Sequence, residues 1–172
     1  MVKHFLNYIK FFQHRDAELY IVIKNNKKME SRIDIPKVDP AAYQAMYALE
    51  KYLSTSKIDP ILSELIKMRA SQINGCAFCL NMHSADARKI GETEQRLYLL
   101  SAWKETTLFT EKEKAVIALT EEVTLISNHV SDATYQKVAS FFSEAEITNI
   151  IMAIVTINAW NRLAITAKVI VG

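Results

Sequence analysis

At 172 residues, half of them hydrophobic and 23% charged, the chain can bury a core of its own without metal or disulfide staples, which excludes a wholly disordered tail. Its net charge of +2 is concentrated at the start: residues 1–30 carry six basic and three acidic side chains, and the remainder carries fifteen and sixteen. The main body therefore offers no basic stripe for a phosphate backbone, which excludes nucleic acid as a partner, and three Gly and three Pro exclude a glycine-rich phosphate cradle or a proline-rich linker.

Residues 1–30 read as a leader of uncertain order, either an appended element or the product of an early start codon. Residues 3–13 have the pattern of a short helix and Tyr20–Ile23 that of a short strand, with no partner for either inside the leader. The leader holds neither a transmembrane run nor a signal-peptide core with a cleavage site, so the expectation is a cytoplasmic protein with no membrane partner. Met29 precedes the point where regular organisation begins, and residues 31–172 read as one helical domain.

Asp39-Pro40 is a helix start, and Tyr43, Met46, Tyr47 and Leu53 form an apolar stripe on the helix that follows. Asp59-Pro60 repeats the signal and predicts a helix to about residue 73, with Ile61, Leu62, Leu65, Ile66 and Met68 on its apolar side. Asn74-Gly75 breaks the chain. A new helix is predicted from near Cys76 to about Ile90, closed by Gly91, and the two helices are spaced to pack as an antiparallel hairpin. A short helix opens at Thr93, carrying Leu97, Leu99, Leu100 and Trp103. Thr110 and Glu113 have capping-box spacing before Ala115–Val123. Ser131–Phe142 predicts a further helix, and Ser143 or Glu144 opens the longest one, too apolar on too many faces to lie on a surface. The sum is an all-α protein, a compact array of six to seven helices with a CxxC at a helix N-terminus.

The segment GCAFCLNMHSADARK carries the chemistry. On a helix, Cys76, Cys79 and His83 fall three and four residues apart and so near one face. Helix N-terminal amides favour a thiolate, an imidazole can move its proton, and a second thiol can resolve an oxidised product as a disulfide. Cytosolic reduction makes a reactive pair more plausible than a permanent bridge. Two alternatives stand beside this one: a pair of inert core cysteines, and a metal site that would need His129 or Glu64 as a fourth ligand. By itself, Glu64 reads as a solvent-facing helix carboxylate. Asp86 and Arg88 read as surface charge, and His129 as an exposed loop residue. Arg96, Tyr98 and Trp103 are near enough in sequence to line a pocket mouth, although a tryptophan such as Trp103 is more often core. Asn158, Trp160, Asn161 and Arg162 interrupt the last helix and require an interhelical or intersubunit network.

The run ELIKMRASQINGCAFCLNMHSADARKIGETEQRLYLLSAW, with Glu64 twelve residues before Cys76 and His83 four after Cys79, resembles the alkylhydroperoxidase D-like members of the carboxymuconolactone decarboxylase family. The likeness extends from about Ser31 to Val169. It implies an all-helical fold and a CxxC-dependent peroxidase that reduces organic hydroperoxides, with no bound cofactor or metal, re-reduction by an external dithiol or lipoyl-type donor, and a homo-oligomer, trimer or hexamer. By the family's roles Cys79 attacks the peroxide, Cys76 resolves, His83 relays a proton and Glu64 is the distal base. The helix dipole taken alone would instead favour the thiolate at Cys76, which lies nearer the helix start. Phe78 departs from the family pattern, where a His often precedes the second cysteine. Alternative readings are a redox-responsive helical oligomer without turnover, a general thiol-disulfide oxidoreductase and, less in keeping with the CxxC, a lactone decarboxylase.

Overall fold

A computed structural model describes residues 29–171; the helix and strand expected within residues 3–13 and 20–23 lie outside the described residues. Among the described residues there are eight α-helices, two 3-10 segments and no strand. They are α1 (Ile35–Val38), α2 (Pro40–Ser54), α3 (Pro60–Asn74), α4 (Ala77–Lys89), α5 (Glu94–Leu99), α6 (Glu111–Thr124), α7 (Asp132–Ala139) and α8 (Glu144–Ala167), with 3-10 turns at Leu100–Glu105 and Ile126–Asn128.

Each start follows from local chemistry. Asp39 and Asp59 accept the backbone N–H groups of Ala42 and Leu62 at 3.0 Å, each just ahead of a proline in the first turn. Complete capping boxes open α6 at Thr110/Glu113 and α8 at Ser143/Glu146. Gly75 ends α3 at φ 70° and Gly91 follows α4 at φ 101°, left-handed values that a side chain disfavours.

The array differs from the sequence expectation in detail. The single turn α1 was not anticipated: Asp34 caps it through the N–H of Lys37, and Pro36 fits its first turn. The helix begun at Thr93 tightens into the 3-10 turn at Leu100. The helix expected over Ser131–Phe142 runs only Asp132–Ala139, because Ser131 is its cap and the chain must turn before the box at Ser143.

α3 is the central strut, with α4, α6 and α8 packed against it. One side, through Leu62, Ile66 and Ala70, enters a cluster that includes Val116, Leu119, Val138, Ile150, Ile154 and both cysteines. The other side, through Leu65 and Met68, enters a second cluster with Ala87, Leu97, Leu100, Trp103, Phe109 and Ile117. Burial of such side chains contributes about 2 kcal/mol each.

α8 is long and apolar enough to cross a membrane by length and composition. In the fold one side of it, with Ile147, Ile150, Ile154 and Ile157, packs among α2, α3, α4, α6 and α7, while Val155 and Ile165 stay exposed. Its amides find partners on other helices. Asn74 donates to Asn158 and Asn161 at 2.9 Å, Asn158 donates to Thr124 at 3.0 Å, and Asn161 donates to Ser71 at 3.0 Å. The required network is thus interhelical, tying α3, α6 and α8. Trp160 donates to Glu50 at 2.8 Å, bringing α2 onto α8. Ahead of α1, the Arg32 N–H and the Ser31 hydroxyl both donate to the carbonyl of Ala167, which straps the segment to the end of α8.

Candidate active site

The tight turn at Asn74-Gly75 lets α4 restart against α3, and Cys76 becomes the N-cap of α4. Its Sγ accepts the backbone N–H of Cys79 at 3.4 Å, the position a serine or aspartate oxygen takes in an ordinary cap. Cys76 and Cys79 lie at disulfide distance, with Cα atoms 5.4 Å apart. Both are enclosed, at 1% and 2% exposure, inside the first apolar cluster.

One turn after Cys79, His83 is buried and its Nδ1 lies 2.9 Å from Glu64 Oε2 on α3. The other oxygen, Oε1, accepts from Lys67 at 2.8 Å. Burial pushes the Glu64 carboxyl up, but the hydrogen bonds and charges of His83 and Lys67 outweigh it and leave the group below its ordinary range. Glu64 is therefore a carboxylate, an acceptor only, so the proton of the shared bond sits on Nδ1 and Nε2 remains for proton exchange. A cleft of 390 Å³ lined in part by Ser63, Glu64, Lys67 and Asp86 gives the carboxylate an outlet to solvent.

The fold thus gathers Cys76, Cys79, His83 and Glu64. Reading Glu64 as a solvent-facing carboxylate is corrected: it is one of the few buried acids, held because it has two partners. Lys67 is the member that sequence reasoning missed. Its i+3 spacing from Glu64 was a signal, but one shared with many surface pairs.

Other candidates resolve differently. Asp86 pairs with Lys89 and Arg88 with Glu94 on the surface, as expected. His129 sits exposed on the loop before α7 and makes no ion pair or hydrogen bond with the site. The expected pocket mouth does not form: Trp103 is core and donates to Glu121, Tyr98 is 70% exposed, and Arg96 is locked between Glu92, Glu113 and the carbonyl of Leu108.

Comparison with known proteins bears on the family and the fold. The model of the carboxymuconolactone decarboxylase family matches residues 40–122. YdfG, an uncharacterized protein of Bacillus subtilis (strain 168), is 44% identical over 138 residues, covering 80% of this chain and 94% of its own length. The crystal structure of ATU0492 from Agrobacterium tumefaciens, a protein of unknown function provisionally assigned as the antioxidant defence protein AhpD, superposes with a TM-score of 0.81. It is 38% identical, and the match covers 83% of this chain and 99% of that one. The debrominase Bmp8 shares the fold at 19% identity and a TM-score of 0.72, over 79% of this chain and 74% of its own.

Proposed function

The chain belongs to the carboxymuconolactone decarboxylase family, among its alkylhydroperoxidase D-like members, and from that premise we propose that it reduces organic hydroperoxides through a Cys76–Cys79 disulfide cycle. The observation that carries the reading is a dithiol at disulfide distance on the first turn of α4, followed one turn later by an imidazole whose other nitrogen is held by a buried carboxylate. A lactone decarboxylase has no use for that pair.

In the proposed cycle the Cys79 thiolate attacks the distal oxygen of ROOH. The O–O bond breaks, sulfur is oxidised to the sulfenic acid, and the alkoxide leaves as ROH with a proton delivered by His83. Cys76 then attacks the sulfenic sulfur, forming the disulfide and releasing water. An external dithiol, lipoyl-type or protein-borne, restores both thiols and is itself oxidised to a disulfide. Glu64 keeps the Nδ1–H tautomer in place and leaves Nε2 facing the proton transfers.

Of the two sulfurs, Cys79 lies one turn from His83 and Cys76 two turns away, which favours Cys79 as the attacking thiol. The cap bond from the Cys79 N–H to Cys76 stabilises negative charge on Cys76. That suits the sulfur expelled as a thiolate when the reductant attacks Cys79. The protein is proposed to work in the cytoplasm as a homo-oligomer, trimer or hexamer. Ile126 and Val155, exposed beside the apolar groove between α6 and α8, fit a contact between copies.

The test is intact mass and free-thiol kinetics after substoichiometric hydroperoxide is added to the reduced protein. Wild type is expected to lose two hydrogens quickly, Cys76→Ser to accumulate a trappable sulfenic acid, and Cys79→Ser to stay inert. Wild-type oxidation no faster than that of free cysteine would overturn the proposal. Oxidation without cycling in the presence of a dithiol would point to a redox-responsive protein instead.

A further inference from the structure

A cavity of 320 Å³ lies between the strap before α1, the first turn of α4 and the last turns of α8. This is within the range of small-molecule sites. Its walls include Ile33, Tyr43, Phe78, Trp160, Leu163 and Ala164, and its polar lining among the described residues comes from Ser31 and Asp34, with no basic side chain. The rings of Tyr43 and Trp160 meet edge to face at 5.3 Å, and the indole N–H is held by Glu50, so one corner is a fixed aromatic wall.

The cavity adjoins the dithiol. Phe78 is the residue between Ala77 and Cys79, and Trp160 and Ala164 both line the cavity and pack against the cluster that encloses the two sulfurs. Both sulfurs are enclosed, and Phe78, Trp160 and Ala164 form a wall between them and the cavity. Phe78, 38% exposed on the first turn of α4, is the wall nearest in sequence to Cys79. All the lining residues except Tyr43 and Phe78 fall outside residues 40–122, so the cavity is built by the segments that flank the family match.

We propose that this cavity binds the organic substituent of the substrate, and that the preferred substrate is an uncharged hydroperoxide bearing a compact aromatic or branched alkyl group. The inference rests on the peroxidase reading for the reacting group only; the site for the substituent stands on the cavity. Apolar and aromatic walls favour such a group. The Asp34 carboxylate, with no cation beside it in the lining, opposes a substrate that carries its own carboxylate. The chemistry is unchanged: ROOH and the two thiols give ROH, water and the disulfide.

The experiment titrates the oxidised full-length protein with cumyl alcohol, the product left when cumene hydroperoxide loses its distal oxygen, and follows backbone amide shifts and tryptophan fluorescence. Saturable binding is expected, with shifts at Phe78 and Leu163 and about tenfold weakening in Phe78→Ala and in Ile33→Asp. Ile33 is an exposed rim position, so the second variant keeps the test usable if the first fails to fold. In turnover, the ratio of kcat/KM for cumene hydroperoxide to that for hydrogen peroxide should fall by the same factor in both variants. Binding of the alcohol with no turnover of any hydroperoxide would sink the peroxidase reading and leave the cavity assigned. Turnover with no binding and no preference for cumene hydroperoxide would overturn the cavity and leave the peroxidase. Equal affinity for an aromatic carboxylate of the same size would overturn the claim that the substrate is uncharged.

Discussion

The two apolar clusters on either side of α3 are built from similar side chains but treat their polar groups in opposite ways. Around the second cluster, Arg96 is pinned by Glu92, Glu113 and the Leu108 carbonyl and lies 4.6 Å from the centre of the Phe109 ring, while Glu121 takes Arg69, Lys104 and the Trp103 N–H. Arg96, Glu113 and Glu121 are thus each held by several partners. At the first cluster the two sulfurs have only each other and one backbone N–H, and the adjoining His83 shares a single hydrogen bond with Glu64. One side of the strut is arranged for rigidity, and the other keeps groups whose bonding can change.

The contrast can be broken most directly by removing its reactive member. Cys79→Ser should lower hydroperoxide turnover by about 10³ or more, since the nucleophile is lost, with a thermal midpoint near that of wild type. Comparable turnover in this variant would put the chemistry elsewhere.

On the opposite side, Arg96→Ala removes the cation shared by Glu92 and Glu113 and leaves them only their bonds to Thr93 and Thr110. It should cost about 3 kcal/mol in urea unfolding, while the folded fraction oxidises Cys79 at the wild-type rate. A loss of thiol reactivity matching or exceeding the loss of stability would show that the clusters are not independent.

His83→Gln should lower the rate of thiol oxidation by about 10², with little change in unfolding midpoint. Equal losses in rate and stability would mark His83 as a core residue only.

The smallest effect concerns acid. The Glu64, Glu113 and Glu121 carboxyls are each pushed up by burial and pulled further down by their hydrogen-bonding partners, to below the ordinary 4.5. A depressed carboxyl contributes stability that is complete above the unfolded-state value and is lost as pH falls through the folded one. Wild type should therefore hold its urea midpoint from neutrality down to about pH 5 and lose it progressively below about pH 4. Glu64→Gln should be less stable at neutral pH, by about 1 kcal/mol, and lose less on acidification. Parallel curves for the two proteins would show that Glu64 titrates as an unpaired group.

Much of the fold was legible because its signals are local. A cap made by Asp39 or Asp59 ahead of a proline, a capping box at Thr110 or Ser143, and a glycine after Asn74 act within one turn, so the sequence alone determined an all-helical chain, its main breaks and the placing of the CxxC at the start of a helix. Helical spacing likewise put Cys76, Cys79 and His83 near one face. The tertiary structure decided the rest, because it depends on which faces meet across long separations. Whether Glu64 was a surface acid or the partner of His83 was set by the packing of α3 on α4, and whether Arg96 lined a pocket or locked a corner was set by Glu113, seventeen residues away. The cavity beside Phe78 joins segments from the two ends of the described chain, a juxtaposition that no local pattern encodes.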